Sequence, residues 1–106
     1  MIENKVLGLL GLATRAGKIA FGTESVLENI ENKKAKLVIV AEDSSDRTKR
    51  NFEYKCEENK IPFRVFGSIE GISKSIGKPN KAVVALKDSN FSKEILKIID
   101  GGEVIG

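Results

Sequence analysis

"KLVIVAEDSSDRTKR", residues Lys36 to Arg50, carries the architecture of the chain. "LVIVA" (Leu37 to Ala41) is a continuous apolar run with β-branched residues. That is the pattern of a central strand covered on both faces. "EDSSD" follows as a polar turn, and Ser45 or Asp46 can cap a helix over about Arg47 to Asn59. Phe52 and Cys56, spaced i to i+4, give that helix a narrow buried stripe.

Toward the N-terminus, Ile2, Val6, Leu9, Leu10 and Ala13 recur at helical spacing. Gly8 and Gly11 within that helix cost helix propensity, which close packing against a neighbour would explain. "TRAGK" (Thr14 to Lys18) is a basic turn that ends the helix at Gly17. "KIAFG" is a short strand. Thr23 is then the expected N-cap of a helix over about Glu24 to Asn32, with Val26, Leu27 and Ile30 inward.

Toward the C-terminus, Pro62 opens a strand in "PFRVF". "GSIEGISKSIGK" holds a short helix ending at Gly77, and "AVVAL" (Ala82 to Leu86) is the next buried strand. Asn90 is the expected cap of a last helix to Ile99, with Phe91, Ile95, Ile98 and Ile99 inward. "DGGEVIG", from about residue 100, reads as a loose tail. Helices and strands thus alternate from end to end. Alternation of this kind predicts a three-layer α/β/α sandwich around a mostly parallel sheet, as one domain over residues 1–106.

Composition narrows the function. Hydrophobic residues make up 41% and charged residues 31% of 106, the balance of a soluble globular protein. Cys56 is the single cysteine, which excludes a disulfide framework and fits a reducing cytoplasm. Histidine, the commonest metal ligand and general base, does not occur. "VLGLLGLA" is far too short to span a membrane, and no targeting segment or membrane partner is expected. A net charge of +3 permits an anionic partner without demanding one.

In open α/β sheets, ligands sit where the strands end. The loops there are Gly22-Thr23, Glu42 to Asp46, Gly67 to Glu70 and Lys87 to Asn90. An enzyme reading starts from Glu42, Asp43 and Asp46, with Lys87 and Asp88 in support, as a Mg²⁺ site for phosphoryl transfer. The turn-and-cap role of Asp43 and Asp46 is the simpler account. Cys56 reads as a core thiol on its helix stripe. A nucleic-acid reading starts from the cations: Arg15 and Lys18, then "KKAK" (Lys33 to Lys36), then Arg47, Lys49 and Arg50, then Lys74, Lys78 and Lys81. Lys49 and Arg50 point in different directions on a helix, so these cations do not form one patch. Arg47, Lys49 and Arg50 in a helix's first turn oppose its dipole, a small cost that a phosphate partner would offset.

Several segments together resemble a known group. "GTESVLENIENKKAKLVIVAED", "CEENKIPF", "SIGK" and "AVVAL" are similar to the kink-turn RNA-binding superfamily of ribosomal proteins of the L-seven-Ae and L-thirty-e type. With "LLGLATRAGKIAFG" added, the chain looks most like the small bacterial YlxQ branch of that superfamily. The resemblance implies an α/β/α sandwich with a four-stranded mixed sheet, one strand antiparallel to its neighbours. It implies no enzymatic activity and no cofactor. It implies structured RNA as partner, with ribosomal RNA the natural source, bound by a monomer.

The resemblance also implies site residues. Gly22 matches the glycine of the family pattern Gly-x-Asn-Glu-x-x-Lys, followed by Thr23. Glu24 stands at the asparagine, Ser25 at the glutamate and Glu28 at the lysine. Glu28 reverses the family charge, and like charges against phosphate are costly. In the apolar loop, Ile69 stands where a basic residue is common, and Ile72 takes the position that packs on an extruded base. Lys74 and Lys78 are available to the backbone. A phosphate-led site would use Arg15, Lys18, Lys33, Lys34, Arg47 and Lys49, and Ser45 is a further candidate RNA contact. Glu24, Ser25 and Glu28 also suit an alternative, a protein-binding module on the same scaffold that serves a ribosome-associated protein.

Overall fold

The structure is a computed structural model that describes residues 2–101. Its elements follow in the order α1 (Ile2–Arg15), β1 (Ile19–Phe21), α2 (Thr23–Glu31), β2 (Leu37–Val40), α3 (Asp46–Glu58), β3 (Phe63–Val65), α4 (Ile69–Ile76), β4 (Val83–Leu86) and α5 (Ser89–Ile99). The strands form one four-stranded sheet in the order β1-β4-β2-β3.

β2 and β3 are parallel, but β4 runs antiparallel to both β1 and β2. The expectation of a mostly parallel sheet therefore fails, while the mixed sheet implied by the resemblance is present. The reason lies between β3 and β4. A parallel crossover must carry the chain back along the whole sheet. α2, with nine residues, makes such a crossover between β1 and β2, so the eight-residue length of α4 does not decide the matter. Ser73 on its inner side accepts a hydrogen bond from Lys81 N at 2.7 Å. That bond folds the 77–82 loop back against α4, and the chain re-enters the sheet at the end where β3 left it.

Strand alternation builds a core on each face. Leu37, Ile39, Val84 and Leu86 pack with Val6, Leu10 and Ala13 of α1, Ile72 and Ile76 of α4, and Ile95 of α5. Val38, Val40, Val83 and Ala85 pack with Val26 and Ile30 of α2 and Phe52 and Cys56 of α3. The expected three layers result. All residues of β2 and β4 are buried, as the run "LVIVA" requires of a central strand. Cys56 is a buried core thiol, and desolvation pushes its pKa up to about 12.

Several local expectations need correction. Gly22, not Thr23, is the N-cap of α2, and Thr23 is already helical. Asp88, not Asn90, caps α5: its Oδ2 accepts from Phe91 N at 2.9 Å, three residues on. Asn90 falls inside the first turn. Gly11 does allow close packing, since a Cβ there would meet Ser75 O of α4 at 3.1 Å. Gly8 does not, because a Cβ there meets open space. Asp100 is no part of a loose tail. It ends α5, and Arg64 of β3 grips its carboxylate with Nε and Nη2, both at 2.8 Å. Residues 102–106 of the expected tail lie outside the described residues.

Candidate nucleic-acid interface

The sheet has two ends, and strand direction decides what each collects. Gly22 N donates to Val83 O at 3.0 Å, and Ala41 N to Ala82 O at 2.8 Å. Glu42 N donates to Gly67 O at 2.7 Å. The loops that start α2, α3 and α4 are thereby tied to one another and to the start of β4. The fourth expected loop, Lys87 to Asn90, is elsewhere. Lys87 N donates to Lys18 O at 2.8 Å, at the opposite end of the sheet. An antiparallel β4 puts its carboxyl end there.

The start of α2 is open to a ligand. Gly22 has φ 89° and ψ 156°, a conformation essentially reserved for glycine. No side chain caps the helix, and its first turn closes with Val26 N on Gly22 O. The N–H groups of Thr23, Glu24 and Ser25 therefore have no intrahelical acceptor. Unpaired amides at a positive helix end suit an anion. Beside them lies a shallow pocket of about 380 Å³ formed by Phe21, Gly22, Thr23, Glu24, Ser25 and Lys81. Lys78 Nζ and Lys81 Nζ stand 5.6 and 5.7 Å from the Phe21 ring centroid. Both are within range of a cation–π attraction, which holds the two ammonium groups near the helix start.

The neighbouring starts are closed by their own side chains. Ser45 Oγ accepts from Thr48 N at 3.1 Å and caps α3. Asp43 Oδ1 accepts from Ile69 N at 2.9 Å, so the loop after β2 braces the first turn of α4. Ser68 Oγ completes that cap on Gly71 N at 2.9 Å. These contacts make Asp43 a brace. The carboxylates of the phosphoryl-transfer reading are also divided, because Asp88 lies at the other end on the α5 cap. Among the described residues, no three His, Cys, Asp or Glu side chains gather as a metal site.

The expected site residues split in two. Gly22, Thr23, Glu24, Ser25, Ser45, Arg47, Lys49, Ile69 and Lys78 lie at the Gly22 end. Glu28 follows Glu24 by one turn of α2, and both are exposed. Lys74 is exposed on α4. Arg15, Lys18, Lys33 and Lys34 stand at the far end, where α1 and α2 finish and β1 and β2 begin. They share no surface with the start of α2, so the phosphate-led site does not assemble as one. Ile72 is fully buried, against Val6, Leu10 and the sheet. Its position in the i, i+3, i+7 stripe Ile69–Ile72–Ile76 turns it inward, so it does not face an extruded base. Ile69 is half-buried and packs on the same core. Phe21 and Lys81 belong to the site but were outside the expected set. Lys81 was legible only as one more cation, because its place depends on the direction of β4.

Residues 4–96 match the ribosomal protein L7Ae/L30e/S12e/Gadd45 family, and the chain belongs to that family. Within it, the chain is 41% identical over 100 residues to the RNA-binding protein YlxQ of Enterococcus faecium, covering 93% of this chain and 95% of the relative. It is 38% identical over 92 residues to the RNA-binding protein YlxQ of Bacillus subtilis, covering 87% and 92%. A solved structure of a protein of unknown function from Bacillus halodurans superposes with a TM-score of 0.87 at 36% identity, covering 91% of this chain and 97% of that one.

Proposed function

We propose that this chain is a non-catalytic, cytoplasmic RNA-binding protein of the translation apparatus. It recognises structured RNA, a kink-turn or a related sharp bend, as a monomer. One observation carries the reading: the uncapped start of α2 beside Lys78 and Lys81, in a chain similar to RNA-binding proteins over most of its length.

The chemistry follows from the residues. The N–H groups of Thr23, Glu24 and Ser25 donate to a phosphate oxygen, and the two lysines neutralise its charge. Glu24 presents an acceptor to amino groups on base edges, and Ser25 a hydroxyl to either kind of partner. Glu28, one turn on, repels phosphate and so restricts the backbone to the lysine side. Bent RNA extrudes unstacked bases beside its phosphates and frees their Watson–Crick and Hoogsteen edges, whereas a straight duplex keeps its bases stacked and paired.

Titration against a kink-turn RNA and a straight duplex of equal length, each at two salt concentrations, tests this. Preference for the kink-turn that persists in higher salt, and is lost in the double variant K78E/K81E, is the expected result. Equal, salt-sensitive binding to both by parent and variant alike would end the reading. A second reading rests on exposed Glu24 and Glu28, spaced to meet a basic protein surface. Failure to bind either RNA, with retention on ribosomes through a protein, would support it.

A further inference from the structure

The far end of the sheet carries a feature that kink recognition at α2 does not use. Three helices finish on a left-handed glycine: Gly17 after α1, Gly77 after α4 and Gly101 after α5. α2 and α3 do not. Each ends in the tripeptide Glu-Asn-Lys, Glu31 to Lys33 and Glu58 to Lys60. The lysine takes the left-handed position, with φ 63° at Lys33 and 58° at Lys60. A side chain is disfavoured there, and glycine is the usual residue. The two turns are neighbours, because β2 and β3, which follow them, pair in parallel. Lys33 Nζ reaches across to Asn59 Oδ1 at 3.3 Å. Together Lys33, Lys36, Asn59 and Lys60 line an open cavity of about 290 Å³ floored by Ala35, Ile61 and Pro62.

The cations continue from there along the sheet. Lys36 N donates to Leu86 O at 2.7 Å, which sets Lys36 beside Lys87, and Lys87 N in turn donates to Lys18 O. Strand order thus places Lys18, Lys87, Lys36 and the Lys33/Lys60 pair side by side. Four strands at ~4.8 Å spacing make the row about 15 Å long. Arg15 and Lys34 flank it in sequence. The carboxylates close by in sequence are Glu31, Glu57, Glu58 and Asp88, and the last is held by the α5 cap. Among the described residues, none of these cations lies within ion-pair distance of a carboxylate. Like charges have been gathered at one edge, two of them on strained backbone, and among the described residues none is engaged in an ion pair.

We infer that this edge is a second nucleic-acid contact, a cradle for the phosphate backbone of an RNA segment distinct from the one at α2. A row of ammonium groups on flexible stems has no fork geometry and no aromatic partner, so it reads charge and spacing, not bases. The kind of polyanion rests on the proposed RNA-binding function; the existence of the edge does not.

The test compares K33Q/K36Q/K60Q with K78Q/K81Q, using the full chain, a straight RNA duplex and a kink-turn RNA. Circular dichroism melting first checks that both variants fold. The slope of log K against log salt on the straight duplex should fall by about 3 units in the triple variant, near 0.9 per lost phosphate contact. Its preference for kink-turn over duplex should stay at the parental ratio. An unchanged slope on both RNAs would overturn the inference, and so would loss of binding to a ribosomal protein with RNA binding intact. The two proposals fail separately. A parent with no kink-turn preference whose slope still drops in the triple variant sinks only kink recognition. A slope that depends on Lys78 and Lys81 alone sinks only the second contact.

Discussion

The two ends of the sheet are built from different turns, the extended caps Ser45 and Ser68 at one and the left-handed Lys33 and Lys60 at the other, and present different chemistry. At the Gly22 end, helices begin: backbone amides face outward, and acidic and basic side chains alternate around them. At the Lys33 end, helices finish: carbonyls face outward, and the exposed cations Arg15, Lys18, Lys33, Lys34, Lys36 and Lys60 outnumber the exposed carboxylates Glu31, Glu57 and Glu58. Helix dipoles favour cations at the second end and anions at the first. The dipole therefore accounts for lysines near the Lys33 end, though not for their left-handed placement. At the Gly22 end the donor groups are fixed backbone, which discriminates geometry. At the Lys33 end they are mobile ammonium groups, which respond to charge density.

The comparison breaks most readily at Gly22. Gly22→Val puts a branched side chain at φ 89°, with its Cβ 3.8 Å from Lys81 Nζ, so the cost is backbone strain and not a clash. Strain of this type costs roughly 1–3 kcal/mol. Urea unfolding should show the loss. In the folded fraction, kink-turn preference should vanish while salt-dependent duplex binding through the Lys33 end survives. Loss of both together would mean that the two ends are one site.

Ser45→Ala removes the α3 cap and should destabilise by about 1 kcal/mol, read as a lower denaturation midpoint. The amides of α3 are freed at the Gly22 end, so its RNA binding should not weaken. A drop in affinity without a drop in stability would show that the Ser45 hydroxyl touches RNA.

Lys60→Gly sharpens the contrast, because its two effects have opposite signs. Relief of the left-handed strain should stabilise by about 0.5 kcal/mol. Duplex affinity in low salt should fall. Lower stability would mean that the Lys60 side chain contributes packing, and unchanged duplex affinity would remove its charge from the contact.

The smallest effect belongs to a pair outside both ends. Arg64 holds Asp100 by hydrogen bonds, which lowers the Asp100 pKa below the ordinary carboxylate range. A lowered folded-state pKa contributes stability above the unfolded value. That contribution is lost as pH falls through the folded value, so the window lies below about pH 4. Both side chains are well exposed, so Asp100→Asn should shift stability at pH 7 by a few tenths of a kcal/mol at most, by thermal melting. RNA binding at either end should be unaffected.

Much of this was legible in the residues. The run Leu37 to Ala41 announced a strand buried on both faces, and it is one. Ser45 was a candidate cap and acts as one. Gly77 marked the end of α4. Such features depend on neighbours a few positions away, where spacing carries the information. The site was less legible. Ile72 looked available to a base because its apolar character is the same inside or outside, and only the α1–α4 packing shows that it is inside. Lys33 and Lys34 looked like companions of Arg47, but a helix length separates them.

What the sequence by itself determined was the alternating order of elements, the Ser45 cap, and membership in the ribosomal protein L7Ae/L30e/S12e/Gadd45 family. What only the tertiary structure decided was the direction of β4. Periodicity reports which face of a strand is buried, and it reads the same in either direction. Direction goes with a serine that holds the returning loop, a contact between residues eight positions apart. That one reversal took the loop after β4 away from the Gly22 end and brought Lys78 and Lys81 to it. It also set Lys87 into the lysine row at the other.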